Sequence, residues 1–165
     1  MSNEERRALE GTAHRCPSST ASQFNQHERD TEMSESFSLP TKPEDMVAAL
    51  VERFNSGKVD ELLPLYEPEV MLVKPEGRTV TGLAEMAADL KYLVGVGRLK
   101  ANTRHVFTND NIALIILDWA IDGTGPDGEH VHFHGSASDV LRRGADGVWR
   151  YLIDNNQGTA VRQPA

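Results

Sequence analysis

The second half of the chain is a succession of β-rich segments separated by short turns, and this constrains the fold more than any other feature. The turns are rich in Gly, Asn and Asp, the residues that tight connections between antiparallel strands require. Strands joined in this way pair with their neighbours, so the pattern predicts an antiparallel meander. The β-rich segments are 99–108, 112–121, 131–141 and 148–156, and the turns are 109–111, 123–128 and 144–147.

The segment before the meander carries helical signals. Thr41–Asp45 places a proline and two acids in a first turn, an arrangement that begins helices. Apolar residues then recur at helical spacing until Asn55–Gly57 ends the helix. A short helix, two short strands and a third helix follow: 59–63, 70–73, 79–81 and 83–94. Helices followed by antiparallel strands predict one α+β domain over residues 41–165.

Residues 1–40 are polar and have almost no apolar periodicity. Such a segment cannot bury enough apolar surface to offset the entropy lost on ordering. We therefore expect a disordered N-terminal tail that is dispensable for the fold and for ligand binding. Met33 offers a second plausible start, so the stretch before it is either an upstream extension or a functional arm.

The charge balance argues against one class of partner. With 17 Lys and Arg against 25 Asp and Glu, the formal net charge is −8, so no basic surface neutralises phosphates and nucleic acid is not an expected partner. No apolar run approaches the roughly 20 residues that span a bilayer, and the N-terminus lacks the apolar core of a signal peptide. The sequence therefore predicts a cytoplasmic protein without a membrane partner.

Several short strings along the predicted domain occur in a distinctive order. They are Asn55-Ser56-Gly57, Leu65-Tyr66-Glu67-Pro68-Glu69, Val80-Thr81-Gly82, Asp118-Trp119, Arg142-Arg143 with Asp146-Gly147-Val148-Trp149, and Asp154-Asn155. Their order and spacing resemble the nuclear transport factor 2-like (NTF2-like) superfamily, in particular the ketosteroid isomerases and the SnoaL-like polyketide cyclases. The resemblance implies a cone in which N-terminal helices pack on a curved, mostly antiparallel sheet around a pocket. Because this fold hosts enzymes, binding modules and assembly domains, it leaves the function open.

When the catalytic residues of the ketosteroid isomerases are matched to this sequence one position at a time, two residues needed for the usual route of steroid isomerisation are missing. The general-base acid of the ketosteroid isomerases falls on Lys74, and their oxyanion-hole tyrosine falls on Leu50. Neither residue can do the corresponding chemistry. The second oxyanion-hole residue of that family, a carboxylic acid kept protonated by its apolar site, falls on Asp139, where an acid is retained.

The alternation of the strand 131–141 places Asp139 on an apolar face independently of the resemblance. Residues two apart share a face of a strand, and the other members of this face are Val131, Phe133, Gly135, Ala137 and Leu141. A buried acid without a cationic partner has a raised pKa and can donate or accept a proton. The alternative is a structural carboxylate paired with Arg142, Arg143 or Arg150.

The same register applied to the last strand brings a second acid, Asp154, to the pocket side, together with Arg150, Leu152 and Asn156. Two acids on neighbouring strands would form a pair whose pKa values separate, one ionised as a base and one protonated as a donor. We therefore expect Asp139 and Asp154 to be the catalytic residues. The alternative is that Asp154 only caps the turn that follows its strand.

The remaining pocket candidates are mostly apolar or aromatic side chains. Trp119 offers a flat wall and an indole N–H donor, unless it only fills the core. Tyr66 lies where the second helix meets the sheet. We expect the ligand-binding residues for a small apolar metabolite to be Ile115, Trp119, Phe133, Leu152, Asn156 and Tyr66.

Three histidines, His130, His132 and His134, alternate along one strand. Side chains in steps of two residues are about 6.6 Å apart on one face, and such histidines can ligate zinc or iron. Their face is opposite to that of Asp139, it continues with serines, and no Cys or nearby Glu completes a ligand set. We therefore expect no metal and no cofactor.

These observations favour a small homodimer that binds a compact, largely apolar metabolite and transfers a proton, as an isomerase, a cyclase or a dehydratase does. The alternative is a non-catalytic binding or assembly module, which the residues at Lys74 and Leu50 favour. A dimer is expected because Ile112, Leu114 and Ile116 form an apolar face opposite the pocket, and such a face is unfavourable in water.

Overall fold

A computed structural model of the chain describes residues 37–162. Within this range the domain contains three α-helices and six strands, and the predicted α+β order is confirmed. The helices are α1 (Met46–Asn55), α2 (Val59–Leu62) and α3 (Leu83–Val96). The strands are β1 (Tyr66–Val73), β2 (Thr79–Thr81), β3 (Gly97–Asn109), β4 (Ile112–Thr124), β5 (His130–Arg143) and β6 (Trp149–Asp154). None of the helices in the described range is long and apolar enough to cross a membrane.

The six strands form one mixed sheet in the order β2-β1-β6-β5-β4-β3. Strands β3, β4, β5 and β6 form the predicted antiparallel meander. Strand β1 pairs with β6 in parallel and with β2 antiparallel. The chain crosses from β2 to β3 at the far edge of the sheet through α3. Helices α1 and α3 therefore cover one face of the sheet.

Helix α1 begins and ends near the residues that the sequence predicted. Pro43 opens a 3-10 turn that leads into the helix at Met46, because its fixed φ suits a first helical turn. Gly57 has a φ of 80°, a left-handed conformation that glycine adopts at little cost, and the chain leaves the helix there. Met46 and Phe54 are buried against the sheet.

The covered face of the sheet carries the core, and its strand residues alternate as predicted. On β4 and β5 the buried side chains are Ala113, Ile115, Leu117, Ile121, Ala137, Asp139 and Leu141. Burial of one such large aliphatic side chain contributes roughly 1.5–3 kcal/mol. This face is therefore the main source of stability, and a polar residue on it requires a compensating contact or a functional explanation.

A β-bulge interrupts the pairing of β5 with β6. Leu141 pairs with Tyr151, but the preceding residue, Val140, pairs with Ile153. Leu152 is therefore an extra residue on β6, and an insertion of this kind shifts the alternation of the strand by one residue.

The bulge changes which residues of β6 face the core. Tyr151 is buried before the bulge, and Asp154 reaches the covered side after it. The expectation that Arg150 and Leu152 lie on the pocket side is therefore corrected, because an uninterrupted alternation does not apply across the bulge. The same expectation for Asp154 and Asn156 agrees with the structure, since both lie after the extra residue.

The uncovered face of the sheet carries an apolar row that crosses five strands. The strand register places its members side by side in the order Phe107, Leu114, Val140, Ile153 and Met71. Phe107 is 56% exposed, and Leu114 and Met71 are each 36% exposed. A continuous row of this length differs from the single exposed apolar residues that are normal on protein surfaces. We call these five residues the outer apolar row.

A buried arginine connects the N-terminal segment to the helices. Arg53 is 1% exposed, and its guanidinium donates to the backbone oxygens of Phe37 at 3.2 Å, Ser38 at 3.0 Å and Glu61 at 2.9 Å. Its central carbon also lies 5.4 Å from the centre of the Phe37 ring. A buried charge needs such partners, because it has lost its water.

The segment 37–40 thus contacts the domain, although the sequence assigned it to the tail. Pro40 is buried, and its backbone oxygen accepts a hydrogen bond from the Trp149 backbone nitrogen at 2.9 Å. Leu39 packs against the core. Among the described residues, the contacts of the domain therefore extend back to Phe37 and include the segment before Thr41. The predicted disorder of residues 1–36 lies outside the described residues.

We predict that a chain beginning at Leu39 melts at a lower temperature than a chain beginning at Phe37. The shorter chain lacks two of the three carbonyl acceptors of Arg53, a loss of about 1 kcal/mol. For a domain of this size that corresponds to about 4 °C, which thermal melting followed by circular dichroism measures.

The Arg53→Met background is the control, because it contains no guanidinium that needs acceptors. There the same truncation should change the melting temperature by much less. An equal decrease in both backgrounds would show that the segment stabilises the domain through contacts other than those with Arg53.

Candidate functional site

A cavity lies between the helices and the covered face of the sheet. Its volume is about 80 Å³, which at about 30 Å³ per liquid water is room for roughly three waters. Its wall is mostly apolar and consists of Leu50, Phe54, Tyr66, Leu90, Leu93, Leu99, Ala101, Leu117, Trp119, Ile121, Ala137, Asp139, Asp154 and Asn156. We call this space the inner cavity. Two of its polar residues, Asp139 and Asp154, are acids.

Asp139 is the deeper of the two acids, with 5% of its surface exposed. Burial raises the pKa of Asp139 well above its usual range, the charge of Asp154 raises it further, and a hydrogen bond from the Asn155 backbone opposes the shift. In that bond the Asn155 nitrogen donates to Oδ1 of Asp139 at 2.9 Å. The raised pKa favours the protonated form of Asp139, in which the second oxygen can donate a hydrogen bond.

The three arginines that could have neutralised Asp139 make other contacts. Arg142 pairs with Glu67, Arg150 pairs with Asp146, and Arg143 lies over the ring of Trp149. Within residues 37–162 no salt bridge reaches Asp139. The interpretation of Asp139 as one half of a structural ion pair therefore does not hold in this part of the chain.

Asp154 borders the same cavity from β6. As a residue it is half-buried, because part of its surface faces the cavity, but protein surrounds its carboxyl group. Burial and the charge of Asp89 raise the pKa of Asp154 to about 6, against the opposing effects of a hydrogen bond with Tyr66 and the charge of Lys74. Asp154 is thus largely ionised at neutral pH while Asp139 is protonated.

Two stacked tyrosines lie beside the acids. The rings of Tyr66 and Tyr151 have their centres 5.1 Å apart. Burial, followed by the charge of Asp154, raises the pKa of Tyr66 well above its usual range, and burial followed by the charge of Asp139 does the same for Tyr151. Both hydroxyls therefore remain protonated, and Tyr66 lies close enough to Asp154 to affect the pKa of that carboxyl. Sequence reasoning placed Tyr66 in the site but did not place Tyr151 on the covered face, because an uninterrupted alternation back from Asp154 puts Tyr151 on the opposite face.

Trp119 forms part of the wall, but its N–H group is already used. Nε1 of Trp119 donates to the backbone oxygen of Asn156 at 2.7 Å, so the expectation of an indole donor for a ligand is corrected. Gly135 lies opposite Trp119 on β5, and a Cβ there would lie 2.9 Å from Nε1. The close approach of the indole to the strand therefore requires glycine.

A second hollow adjoins the inner cavity. It offers about 290 Å³ to the centres of water molecules and shares Leu93 and Asn156 with the inner cavity. Its other lining residues are Leu72, Val73, Lys74, Pro75, Asp89 and Tyr92. Lys74 and Asp89 form a salt bridge in its wall, and both act on the pKa of Asp154. We call this space the outer pocket.

Other predicted ligand-binding residues lie elsewhere. Ile115 is fully buried in the core, and Phe133 packs half-buried against the core. Neither residue, nor Leu152, lines the inner cavity. The structure therefore places Trp119, Tyr66 and Asn156 in the cavity wall with the two acids. The other three residues lie outside that wall, although Ile115 pairs with Asp139 in the sheet.

The three alternating histidines lie on the uncovered side of β5, as the alternation predicted. They are exposed, and Nδ1 of His132 lies 2.5 Å from Oδ1 of Asp122. This hydrogen bond is the largest cause of the lowered pKa of Asp122. Among the described residues no group of three or more His, Cys, Asp or Glu side chains is placed to hold a metal ion.

Comparison with known proteins finds a family model and solved structures that are similar to this domain. The family model of the SnoaL-like domain matches residues 47–152, which is more than half of the chain. No curated protein matches the sequence.

Solved structures share the fold at low sequence identity. A conserved protein from Planctomyces limnophilus DSM 3776 is 18% identical, with a TM-score of 0.62 over 69% of this chain and 91% of that protein. A nuclear transport factor 2 (NTF2-like) superfamily protein from Salmonella enterica serovar Typhimurium LT2 is 17% identical, with a TM-score of 0.59 over 69% and 86%. A ketosteroid isomerase-like protein from Erwinia carotovora atroseptica SCRI1043 is 17% identical, with a TM-score of 0.54 over 67% and 88%. These similarities confirm the predicted NTF2-like fold.

We predict that Asp154→Asn stabilises the domain at pH 8 and leaves it unchanged at pH 4. The pKa of Asp154 is about 6 in the folded chain and about 3.9 in the unfolded chain. An acid whose pKa rises on folding loses stability as the pH rises from about 4 through 6, because its ionised form is disfavoured in the folded state. An amide does not ionise, so the gain above pH 6 is up to about 3 kcal/mol, measured by thermal melting across this range.

Asp146→Asn is the control of opposite sign. The hydrogen bond from Arg150 is the largest cause of the lowered pKa of Asp146, which is about 2. The stability from this acid is present above about pH 4 and disappears as the pH falls through 2, so the substitution should destabilise the domain at pH 8. If both variants shift the melting temperature in the same direction at pH 8, Asp154 is not a disfavoured carboxylate.

Proposed function

The chain belongs to the SnoaL-like domain family, and from this membership we propose that it is an enzyme that moves a proton on a small carbonyl compound. Asp154 is the base and Asp139 is the acid. The observation that carries the proposal is the convergence of two carboxyl groups with different protonation on one otherwise apolar cavity.

The protonation of the two acids suits complementary roles. A general base is most effective when its pKa is near the working pH, and the pKa of Asp154 is about 6. A protonated acid in an apolar site donates a hydrogen bond to a carbonyl oxygen without ionising. Asp139 supplies that donor, since no arginine in the described range pairs with it and its Oδ1 is held by Asn155.

The proton transfer follows from these positions. The Asp154 carboxylate takes a proton from the carbon next to the carbonyl, and the electron pair of that C–H bond forms the C=C bond of an enolate. The electron pair of the carbonyl π bond moves to the carbonyl oxygen, where a hydrogen bond from Asp139, which keeps its proton, stabilises the negative charge. Transfer of the Asp154 proton to another carbon of a conjugated enolate gives an isomer, and transfer of that proton to a departing β-hydroxyl releases water and gives an unsaturated ketone.

Tyr66 acts as a positioning residue for the base. Its hydroxyl lies close enough to Asp154 to affect the pKa of that carboxyl, and in this proposal it hydrogen-bonds to the carboxylate and holds it at the cavity wall. With a volume of about 80 Å³, the inner cavity takes up only a few non-hydrogen atoms of the substrate around the reacting carbon. A steroid nucleus is far larger than this space. This agrees with the sequence analysis, in which the base and the tyrosine donor of the ketosteroid isomerases are absent.

Association of two copies through the outer apolar row is a second part of the proposal. The row faces away from the helices, and Leu114 lies within it between Phe107 and Val140. Covering it with an identical row removes a continuous apolar strip from water, the usual driving force of association. The inner cavity lies on the other side of the sheet, so a homodimer leaves it free.

We predict that the protein accelerates exchange of the α-protons of 2-pentanone in deuterium oxide. Asp154→Asn should slow this exchange by about 100-fold or more and Asp139→Asn by about tenfold or more. In the wild type the rate should rise with pH through about 6, as Asp154 ionises. Proton nuclear magnetic resonance measures the rates directly.

Asp146→Asn is the matched control, because it removes an acid that lies outside both cavities. Its exchange rate should equal that of the wild type. If 2-pentanone binds and neither acid variant alters its exchange, the protein is a non-catalytic binding module and the catalytic proposal fails.

We predict that Leu114→Asp separates the two copies. Sedimentation equilibrium at micromolar concentration should give twice the chain mass of 18.2 kDa for the wild type and a single chain mass for the variant, because a carboxylate within the row cannot be buried unpaired. Ala88→Asp, which places the same charge on an exposed position of α3, should remain dimeric. A monomeric wild type would disprove this interface.

A further inference from the structure

One side-chain atom at the junction of the two cavities lacks a partner. Oδ1 of Asn156 is buried and accepts no hydrogen bond from any residue in the range 37–162. Asn156 lines both the inner cavity and the outer pocket. A ligand that fills either space, or both, therefore passes this oxygen.

The backbone holds Asn156 in this place. Its own backbone oxygen accepts the indole hydrogen bond of Trp119 at 2.7 Å. The preceding residue, Asn155, donates its backbone N–H to Asp139 at 2.9 Å and accepts from the Ser138 backbone at 3.0 Å. The backbone of Asn156 thus cannot leave the junction without breaking contacts of the site.

Two other buried oxygens without partners do not share this position. They are the hydroxyl of Tyr151 and Oδ1 of Asn155, and neither residue lines a cavity. The amide nitrogen of Asn155 donates to Ser138 and to Gly158, which gives it a structural role. Among these atoms only Oδ1 of Asn156 combines burial, a missing donor and access to the cavity.

Such an acceptor costs free energy in the empty site and is satisfied when a ligand donates to it. The donor has to be uncharged, because an ammonium group in this cavity would be drawn to the ionised Asp154 rather than to a neutral amide. A hydroxyl group fulfils this requirement. The reacting carbonyl and the hydroxyl lie within a few bonds of each other, since Asp139 and Asn156 line one small cavity.

We infer that Asn156 is a specificity-determining residue that accepts a hydrogen bond from a hydroxyl of the substrate, and that the substrate is a small hydroxy ketone. This inference rests on the proposed function for the carbonyl, and it adds the hydroxyl. It also explains why an asparagine stands in a wall that is otherwise apolar apart from the tyrosine and the two acids.

Two probes of equal size test the inference. They are 4-hydroxy-2-butanone and 2-pentanone, each with six non-hydrogen atoms, which differ only by a hydroxyl in place of a methyl group. The wild type should bind the hydroxy ketone about tenfold more tightly. Chemical-shift titration of the full chain gives both dissociation constants. Equal constants, tighter binding of 2-pentanone, or no binding of the hydroxy ketone at its solubility limit would each overturn the inference.

Substitutions then assign the preference to one residue. Asn156→Leu keeps the approximate volume and removes the acceptor, so the preference should fall to less than about twofold. Gln157→Leu removes an amide from the next position, which lines neither cavity, and should keep the tenfold ratio. A preference that persists in Asn156→Leu would overturn the assignment, and the comparison within the wild type does not depend on whether this variant folds.

The binding ratio also separates this inference from the proposed function. Asp154→Asn should retain the tenfold preference while it loses proton exchange. A wild type that prefers the hydroxy ketone but exchanges no α-protons would disprove the catalytic proposal and leave Asn156 as a determinant of binding. A wild type that exchanges α-protons but binds the two ketones equally would support the catalytic proposal and disprove the inference about Asn156.

Discussion

The pairing of β5 with β6 across one extra residue is the interaction on which the site depends. Leu152 interrupts the ladder, and the strand presents Tyr151 to the covered face before the interruption and Asp154 after it. A regular strand would have turned one of them toward the opposite face. The bulge therefore places a second carboxyl group, that of Asp154, on the cavity that Asp139 lines, and the Asn155 backbone N–H donates to Asp139 directly.

Burial of the two carboxyl groups costs free energy, and burial of the apolar side chains around them offsets that cost. Two carboxyl groups in a low-dielectric space cannot both ionise cheaply, and their pKa values are raised by burial before any other cause. The core of β4 and the two covering helices supplies the compensating burial. The same surroundings that disfavour the charge of Asp154 make it a base suited to neutral pH, so stability and reactivity have one physical origin.

The two faces of the sheet carry different features. The covered face holds the cavity, and the uncovered face carries the outer apolar row, with the exposed histidines on the same side. Since side chains alternate along every strand, a ligand and a second copy can act on opposite sides of one layer without competing. Lys74 belongs to the wall of the outer pocket and pairs with Asp89.

The sequence by itself determined the order of elements, the two faces of β4 and β5, and the position of Asp139, because these follow from local rules: the periods of helices and strands and the chemistry of turns. It did not determine the faces of Arg150 and Leu152, the docking of Phe37 on Arg53, or the hydrogen bond that occupies the indole of Trp119. Those features depend on which distant residues meet. A bulge is a property of a strand pair, and a missing hydrogen-bond partner is a property of a whole environment, so only the tertiary structure decided them.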